Sequence, residues 1–318
     1  MNSEGSFVQA RQAVEGKDHS LRDKRASLSE AASLLEEGDH VAVGGCLYSR
    51  TPMALLRELL RGDPRGLTLS RNLMCYEGDL FMAAGAVDTV LTSWMGIGLP
   101  WGVSRTLRHY VESGAVRFRE WSHLAIGLGY RAGAMGVPFL PTLTMLGSDL
   151  MATSGAKTMV CPFTGRQLCL VPALFPDLAV LHVHRADRYG NAQIDGYAHM
   201  DADIARAARK VIVSTEEMVE PDELRERGDA TVIPFFAVDA VVEAPFGSFP
   251  HECYGLCDAD LESIGEYGRA VAEGGPEATE RFLERWVRQP AGYQDYLELF
   301  GGERLERQRL RAAELLAR

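Results

Sequence analysis

The sequence predicts an α/β protein built on an open, mostly parallel sheet with helices on both faces and a helical C-terminal extension. Three observations carry that expectation. From Ala26 onward, amphipathic runs alternate with short β-branched runs. The strand-like runs are apolar along nearly their whole length, as suits strands covered on both faces. Beyond about Asp258 the strands give way to charged helical pattern: SIGEYGRAVAEGG, ATERFLERWVRQ and GGERLERQRLRAAELLAR.

Taken in order, residues 1–25 are polar and of mixed charge, and read as a flexible N-terminal tail without the apolar core of a signal peptide. An amphipathic helix over Ala26–Glu37, a turn at Gly38-Asp39 and the strand HVAVGG follow. Next come a helix over Met53–Arg61, the strand LTLSRN, a helical stretch near Leu80–Ala84, the strand VDTVLTSW, a helix over Ser104–Ser113 and the strand VRFR. LCLVPA, LAVLHVHRA, KVIVSTEE and AVDAVVEAP read as further buried strands, each bounded by Gly, Pro or Asp. Residues 26–318 are read as a single domain whose helical extension begins near 258. Ligands of such sheets bind beyond the carboxyl ends of the strands. That points to four loops: GGCLYSRTP, SRN, SWMG and EWSH.

The chain has 318 residues, with 33 Lys+Arg against 44 Asp+Glu and a formal charge of −11. A nucleic-acid binder needs a basic face, so that class is excluded. Hydrophobic residues make up 46% of the chain, enough for a large buried core. No apolar run reaches the roughly 18 residues of a membrane helix. The six cysteines lack the dense spacing of a secreted scaffold, which predicts reduced thiols in the cytoplasm.

Most motif-based chemistries fail on spacing. His182 and His184 share a strand face near Asp187, but no third ligand stands at a zinc-like interval; Cys253 and Cys257 lack a second pair, so no metal is expected. GIGLPWG and GLGYRAG carry glycines at 96, 98, 102 and 127, 129, 133, but neither keeps the dinucleotide spacing, and the second falls inside a helix. No P-loop is present. Ser49 and Ser93 lack the glycines of a nucleophile elbow. Carboxylates remain, namely Glu77, Glu120, Glu216 and Glu217 near strand ends, each equally readable as an ordinary surface or salt-bridged side chain.

One ordered set of segments carries a resemblance. GDHVAVGGCLYSRTP, LTLSRN, GVSRTLRHYVESGAV, GVPFLPTLTMLGSDL, HVHRADRYGNAQIDG, KVIVSTEEMVEPDEL and VDAVVEAPFGSFPHECYG resemble the α subunit of class I CoA-transferases, most of all the A-type subunit of glutaconate CoA-transferases. The likeness spans about residues 28–300. It implies a CoA-transferase-like sheet and a β partner in a hetero-oligomer, α2β2, whose Ser-Glu-Asn-Gly glutamate is the nucleophile. No such motif stands in this chain. The implied substrates are an acyl-CoA and a carboxylic acid, with coenzyme A entering as substrate and no tightly bound cofactor.

The resemblance assigns Gly44, Gly45 and Pro52 to the family's diglycine loop, with Cys46 replacing the usual Phe. Glycines there let backbone approach an acyl group, and their amides would hold an oxyanion. Arg50 suits a carboxylate or phosphate, or else caps a helix as an ordinary arginine. Ser49, Asn72, Ser93, Trp94, Ser122 and His123 are the remaining substrate-binding candidates. REWSHLAIGLGYRAGAMGVPFLP also resembles the α chain of a ring-cleaving hydrolase of steroid-derived CoA thioesters, which implies a catalytic role for Glu120. Three readings therefore stand: one half of a transferase, one half of a hydrolase, and a non-catalytic acyl-CoA-binding subunit.

Overall fold

The computed structural model describes residues 4–98 and 100–317. Its main sheet holds seven parallel strands: β1 (His40–Val43), β2 (Leu67–Ser70), β3 (Val87–Thr92), β4 (Arg117–Glu120), β5 (Leu178–Ala186), β6 (Lys210–Met218) and β7 (Ala240–Glu243). Their spatial order is β7-β6-β5-β1-β2-β3-β4. Two short strands, Ala192–Gln193 and Thr231–Ile233, extend the sheet antiparallel near the end of β5.

This order has one reversal. From β1 the chain steps outward through β2, β3 and β4, then returns to the opposite side of β1 as β5 and steps outward through β6 and β7. The crevice between β1 and β5, beyond their carboxyl ends, is the place such a sheet offers a ligand. The loop leaving β1 there is Gly44–Arg50.

Strand pleating explains the two cores. Alternate residues point to opposite faces, so Val41, Val43, Leu178, Val180 and Ile212 join one apolar cluster while Ala42, Ala179, Leu181, Val211 and Val213 join another. The first face is covered by helices Met53–Arg61, Tyr76–Ala83, Arg105–Glu112 and Leu261–Leu283, and the second by His123–Met135 and Asp201–Ala207. The glycines of GLGYRAG belong to this second packing. A Cβ on Gly133 would lie 2.1 Å from the Leu174 carbonyl oxygen, so the helix lies against that backbone only with glycine there.

Three expectations need correction. The segment read as a flexible tail holds a helix, Glu4–Glu15, with Val14 buried; residues 1–3 of it lie outside the described residues. Lys24 and Ala26 then exchange backbone hydrogen bonds with Val241 of β7, and the Lys17 ammonium lies 2.9 Å from the Asp239 carboxylate, which anchors the segment to the sheet. The helix expected over Ala26–Glu37 is confined to Leu28–Ala32, behind a capping box of Ser27 and Glu30. LCLVPA lies outside the main sheet. As Gln167–Pro172 it is the middle of a three-stranded antiparallel sheet with Phe139–Thr142 and Lys157–Val160. Its burial alternates, because only one face of that sheet is covered.

The C-terminal helices are part of the core. Leu261–Leu283 breaks at Gly275-Pro276, continues through a π turn at Glu284–Arg288, and is followed by Tyr293–Glu298 and Gly302–Leu316. Among the described residues no helix is long and apolar enough to cross a membrane, and all six cysteines are free.

Asp79 joins three of the covering helices and makes the fold sensitive to pH. Its carboxylate accepts hydrogen bonds from Ser104 Oγ at 2.7 Å and the Tyr267 hydroxyl at 2.9 Å. Burial nevertheless pushes its pKa from 3.8 to about 7. A carboxyl with a raised folded-state pKa binds its proton more tightly in the folded state, so the stability this confers is complete below the unfolded value and disappears as pH rises through the folded one. The thermal midpoint of Asp79→Asn minus that of the native chain should therefore increase between about pH 4 and about pH 7, then level off. A difference that stays flat across this window would rule out the linkage.

Candidate active site at the strand switch point

The loop that leaves β1 is a tight turn closed on itself. Cys46 N–H donates to the Ser49 carbonyl at 3.0 Å and Ser49 N–H to the Cys46 carbonyl at 2.8 Å. Gly45 makes the turn possible, at φ +65° with no room for a side chain: a Cβ there would stand 2.1 Å from Ser49 O. Leu47 and Arg50 also sit at positive φ, 51° and 49°. Such conformations are costly for residues with side chains and persist only where neighbours impose them.

Two buried arginines impose them here. Arg50 is 1% exposed and pairs at 2.6 Å with Asp201, which is 0% exposed; its guanidinium also donates to the His182 and Tyr197 carbonyls. Arg71 donates to the Gly44 carbonyl at 3.1 Å, to Thr51 Oγ1 at 3.0 Å and to Glu77 at 2.6 Å. The turn is thus held from both sides by charge-assisted bonds in a water-poor interior.

These bonds revise the roles expected for the diglycine loop. Gly44 N–H donates to Val180 O at 2.9 Å, as part of the parallel ladder, and Gly45 N–H donates to Asp201 Oδ1 at 2.8 Å. Neither amide is left for an oxyanion. Arg50, expected as a possible substrate clamp, has its guanidinium occupied inside the protein.

The loops after β2, β3 and β4 bring together a polar cluster. Asn72 O accepts from Ser93 Oγ and from Thr92 Oγ1, and Ser93 Oγ stands 3.5 Å from His123 Nδ1. Asn72 Nδ2 faces the Met200 thioether at 2.9 Å, a weak acceptor, so this amide keeps its donor capacity. His123 is exposed at the first turn of His123–Met135. His199, which still reaches solvent, is held below the ordinary imidazole value by partial desolvation and then by the Arg50 guanidinium, with His123 acting the same way from nearby. Burial pushes the Cys46 thiol up, which disfavours a thiolate in the turn.

The other sequence candidates lie around this cluster in different ways. Ser49 sits in the turn, beside Glu252, whose carboxyl burial raises while its hydrogen bond to Ser49 lowers it. Ser122 caps the His123–Met135 helix through Ala125 N–H and shares a hydrogen bond with Thr144. Trp94 is half-buried and its indole packs over Gly96, to one side of Ser93. Glu120 is exposed at the end of β4, in register with Thr92, and among the described residues no ion pair engages it. The cluster forms a shelf that runs from buried Asn72, 4% exposed, through half-buried Ser93 and Trp94 to exposed His123 and Glu120. A cavity of about 650 Å³, lined by Ser29–Glu37 and Glu58–Arg65, lies at the other end of the sheet, away from these side chains.

Asp201, His199, Met200 and Glu252 escaped the sequence reading. The first three belong to one segment, DGYAHMDAD, which follows β5 and the short strand Ala192–Gln193 and runs into the helix Asp201–Ala207. A polar loop after LAVLHVHRA was the available signal.

Comparison with known proteins gives the family. Residues 25–244 match the family model for coenzyme A transferase. An uncharacterized protein of Archaeoglobus fulgidus is 40% identical over 93% of this chain, which spans 66% of that protein's length. The A-type subunit of glutaconate CoA-transferase from Acidaminococcus fermentans is 31% identical, covering 86% of this chain and 90% of its own. The crystal structure of that organism's glutaconate coenzyme A-transferase contains a chain that superposes with a TM-score of 0.85 over 89% of this chain and 94% of that one. The cholesterol ring-cleaving hydrolase IpdA subunit of Rhodococcus jostii is 34% identical over 84% of this chain and 93% of its own. On this agreement of sequence and fold, the chain belongs to the coenzyme A transferase family, as a subunit of the A type.

Proposed function

We propose that this chain, with a B-type partner in an α2β2 assembly, moves CoA from an acyl-CoA to a carboxylic acid in the cytoplasm, where its free thiols stay reduced. Coenzyme A takes part only as substrate. The observation that supports the reading is the shelf beyond β2, β3 and β4, where the buried Asn72 amide is a donor met only by the Met200 thioether. The exposed His123 and Glu120 leave one side of this shelf for a second subunit to cover.

In this reaction a partner glutamate attacks the thioester carbonyl, the C–S bond breaks and CoA leaves as thiolate. The resulting acyl-glutamyl anhydride is attacked by that thiolate at the glutamyl carbonyl, releasing the carboxylate and leaving CoA on the glutamate. The acceptor acid reverses both steps. Asn72 Nδ2 is the group of this chain that meets the oxyanion, with Ser93 and His123 orienting the acyl portion. Gly44, Gly45 and Arg50 shape the wall of the site from behind, Ser49 forms part of that wall, and Trp94 and Ser122 frame the shelf.

The hydrolase reading has one observation of its own. Glu120, which no ion pair engages among the described residues, stands at the end of β4 in register with Thr92, the residue before Ser93. A single experiment separates the two. The chain is co-purified with the product of its neighbouring gene, incubated with acyl-CoA, treated with borohydride, and both proteins are weighed by mass spectrometry. Transfer predicts reduction at a partner glutamate and a fall in turnover of about 10²–10³-fold in Asn72→Ala, the cost of losing one oxyanion donor. Free CoA accumulating with both proteins unmodified, and loss of that release in Glu120→Gln, would overturn transfer in favour of hydrolysis. Binding of acyl-CoA without either outcome would mark a non-catalytic subunit. The isolated chain should turn over no acyl-CoA.

A further inference from the structure

Behind the diglycine turn lies a cluster that none of these steps uses. Cys75, Glu77 and His251 are 0%, 1% and 0% exposed, and one ligand-type atom from each lies within 4.8 Å of the others. Cys75 and Glu77 flank the start of Tyr76–Ala83, and His251 comes from the distant segment after β7.

The hydrogen bonds around this cluster leave two buried polar atoms unmet. Glu77 Oε1 accepts from Arg71 at 2.6 Å and from the Cys75 backbone N–H at 2.9 Å. His251 Nδ1 lies 2.6 Å from Thr51 Oγ1. Thr51 Oγ1 also lies 3.1 Å from the Leu47 carbonyl; with its proton given there, Nδ1 is the donor and Nε2 carries the lone pair, the tautomer a bound cation requires. Glu77 Oε2 and His251 Nε2 are then both buried without any partner among the described residues. Two unmet polar atoms in the interior are a standing cost, which an electrophile between the carboxylate and the imidazole would remove.

The geometry points to a site for a divalent cation of the zinc class, held by Cys75 Sγ, Glu77 Oε2 and His251 Nε2. Thiolate, carboxylate and imidazole are the ligand types zinc takes. The remaining atoms already have the outer-shell partners that fix such ligands, a donor hydrogen bond from the second ring nitrogen and a clamp on the second carboxylate oxygen. On binding, the cation displaces the Cys75 thiol proton to solvent; thiolate and carboxylate then set two negative charges against the cation and the Arg71 guanidinium already paired with Glu77, leaving the cluster one net positive charge. The site ties Tyr76–Ala83 to the segment after β7 and, through Thr51 and Arg71, stiffens the turn. A neighbouring trio, His182, Glu216 and Cys253, offers no such free lone pairs: both nitrogens of His182 and both oxygens of Glu216 are hydrogen-bonded.

The test uses the full chain produced in cobalt-supplemented medium and, separately, the metal-free chain titrated with zinc alone. Expected are about one metal per chain, a thiolate-to-cobalt charge-transfer band, and a zinc-induced rise in thermal midpoint. The band should vanish in Cys75→Ser and survive in Cys161→Ser, whose thiol is partly exposed elsewhere. His251→Gln, which should weaken zinc binding at least about tenfold, serves if Cys75→Ser fails to fold. Absence of the band, its persistence in Cys75→Ser, or a bound water joining Glu77 and His251 in the presence of excess zinc would overturn the site.

Discussion

Replacing Asp201 by alanine is expected to cost about 3–5 kcal/mol of stability and to abolish turnover of the assembled enzyme. The carboxylate is fully buried and does two jobs, pairing with Arg50 at 2.6 Å and accepting Gly45 N–H at 2.8 Å. Its removal strands a guanidinium in the interior and frees the glycine whose φ of +65° sets the turn. Much of the cost is the unpaired charge. The double variant Arg50→Met/Asp201→Leu should therefore recover a large part of the stability while staying inactive, since Gly45 still lacks its anchor. Urea denaturation of the chain and turnover of the complex read the two effects separately. A loss below about 1 kcal/mol in Asp201→Ala would mean that the pair is solvated.

Trp286→Ala should cost a comparable amount, about 3–5 kcal/mol, although it lies in the C-terminal helices and far along the chain from any parallel strand. Trp286 is 1% exposed, and its indole sits among Tyr76, Tyr267, Phe282 and Phe300 at ring-centroid distances of 5.6, 5.9, 4.6 and 6.3 Å. Its carbonyl accepts from the buried Arg57. The cavity left behind would lie under the helix Tyr76–Ala83, which carries one proposed metal ligand, Glu77, and is preceded by another, Cys75. Leu310→Ala, on the outer face of the last helix and 56% exposed, should stay within about 0.5 kcal/mol. Equal effects at the two positions would contradict a C-terminal region built into the core.

How much was legible beforehand follows from range. Val41, Leu69, Val90, Val180 and Ile212 announce buried parallel strands because burial on both faces demands apolar residues at nearly every position. The Met53–Arg61 helix begins and ends where its sequence pattern does, with Pro52 before it and Gly62 after it. Gln167–Pro172 misled because a short apolar strand looks alike in a parallel sheet and in a small antiparallel one. The identity of its partners, Phe139–Thr142 and Lys157–Val160, is not written in its own residues.

By itself, then, the sequence determined the layered α/β architecture, the glycines of the turn, the polar loops after β2, β3 and β4, and the likeness to A-type subunits. These depend on local propensity and on hydrophobic period, which are properties of contiguous residues. Only the tertiary structure decided what those groups are free to do. Asp201 reaches back across 156 positions to take the Gly45 amide, and 151 to fix Arg50. Met200 comes from 128 positions away to face Asn72. Whether a donor points at a substrate or is spent on its own protein depends on which distant acceptor the fold brings within hydrogen-bonding distance, and no local pattern encodes that.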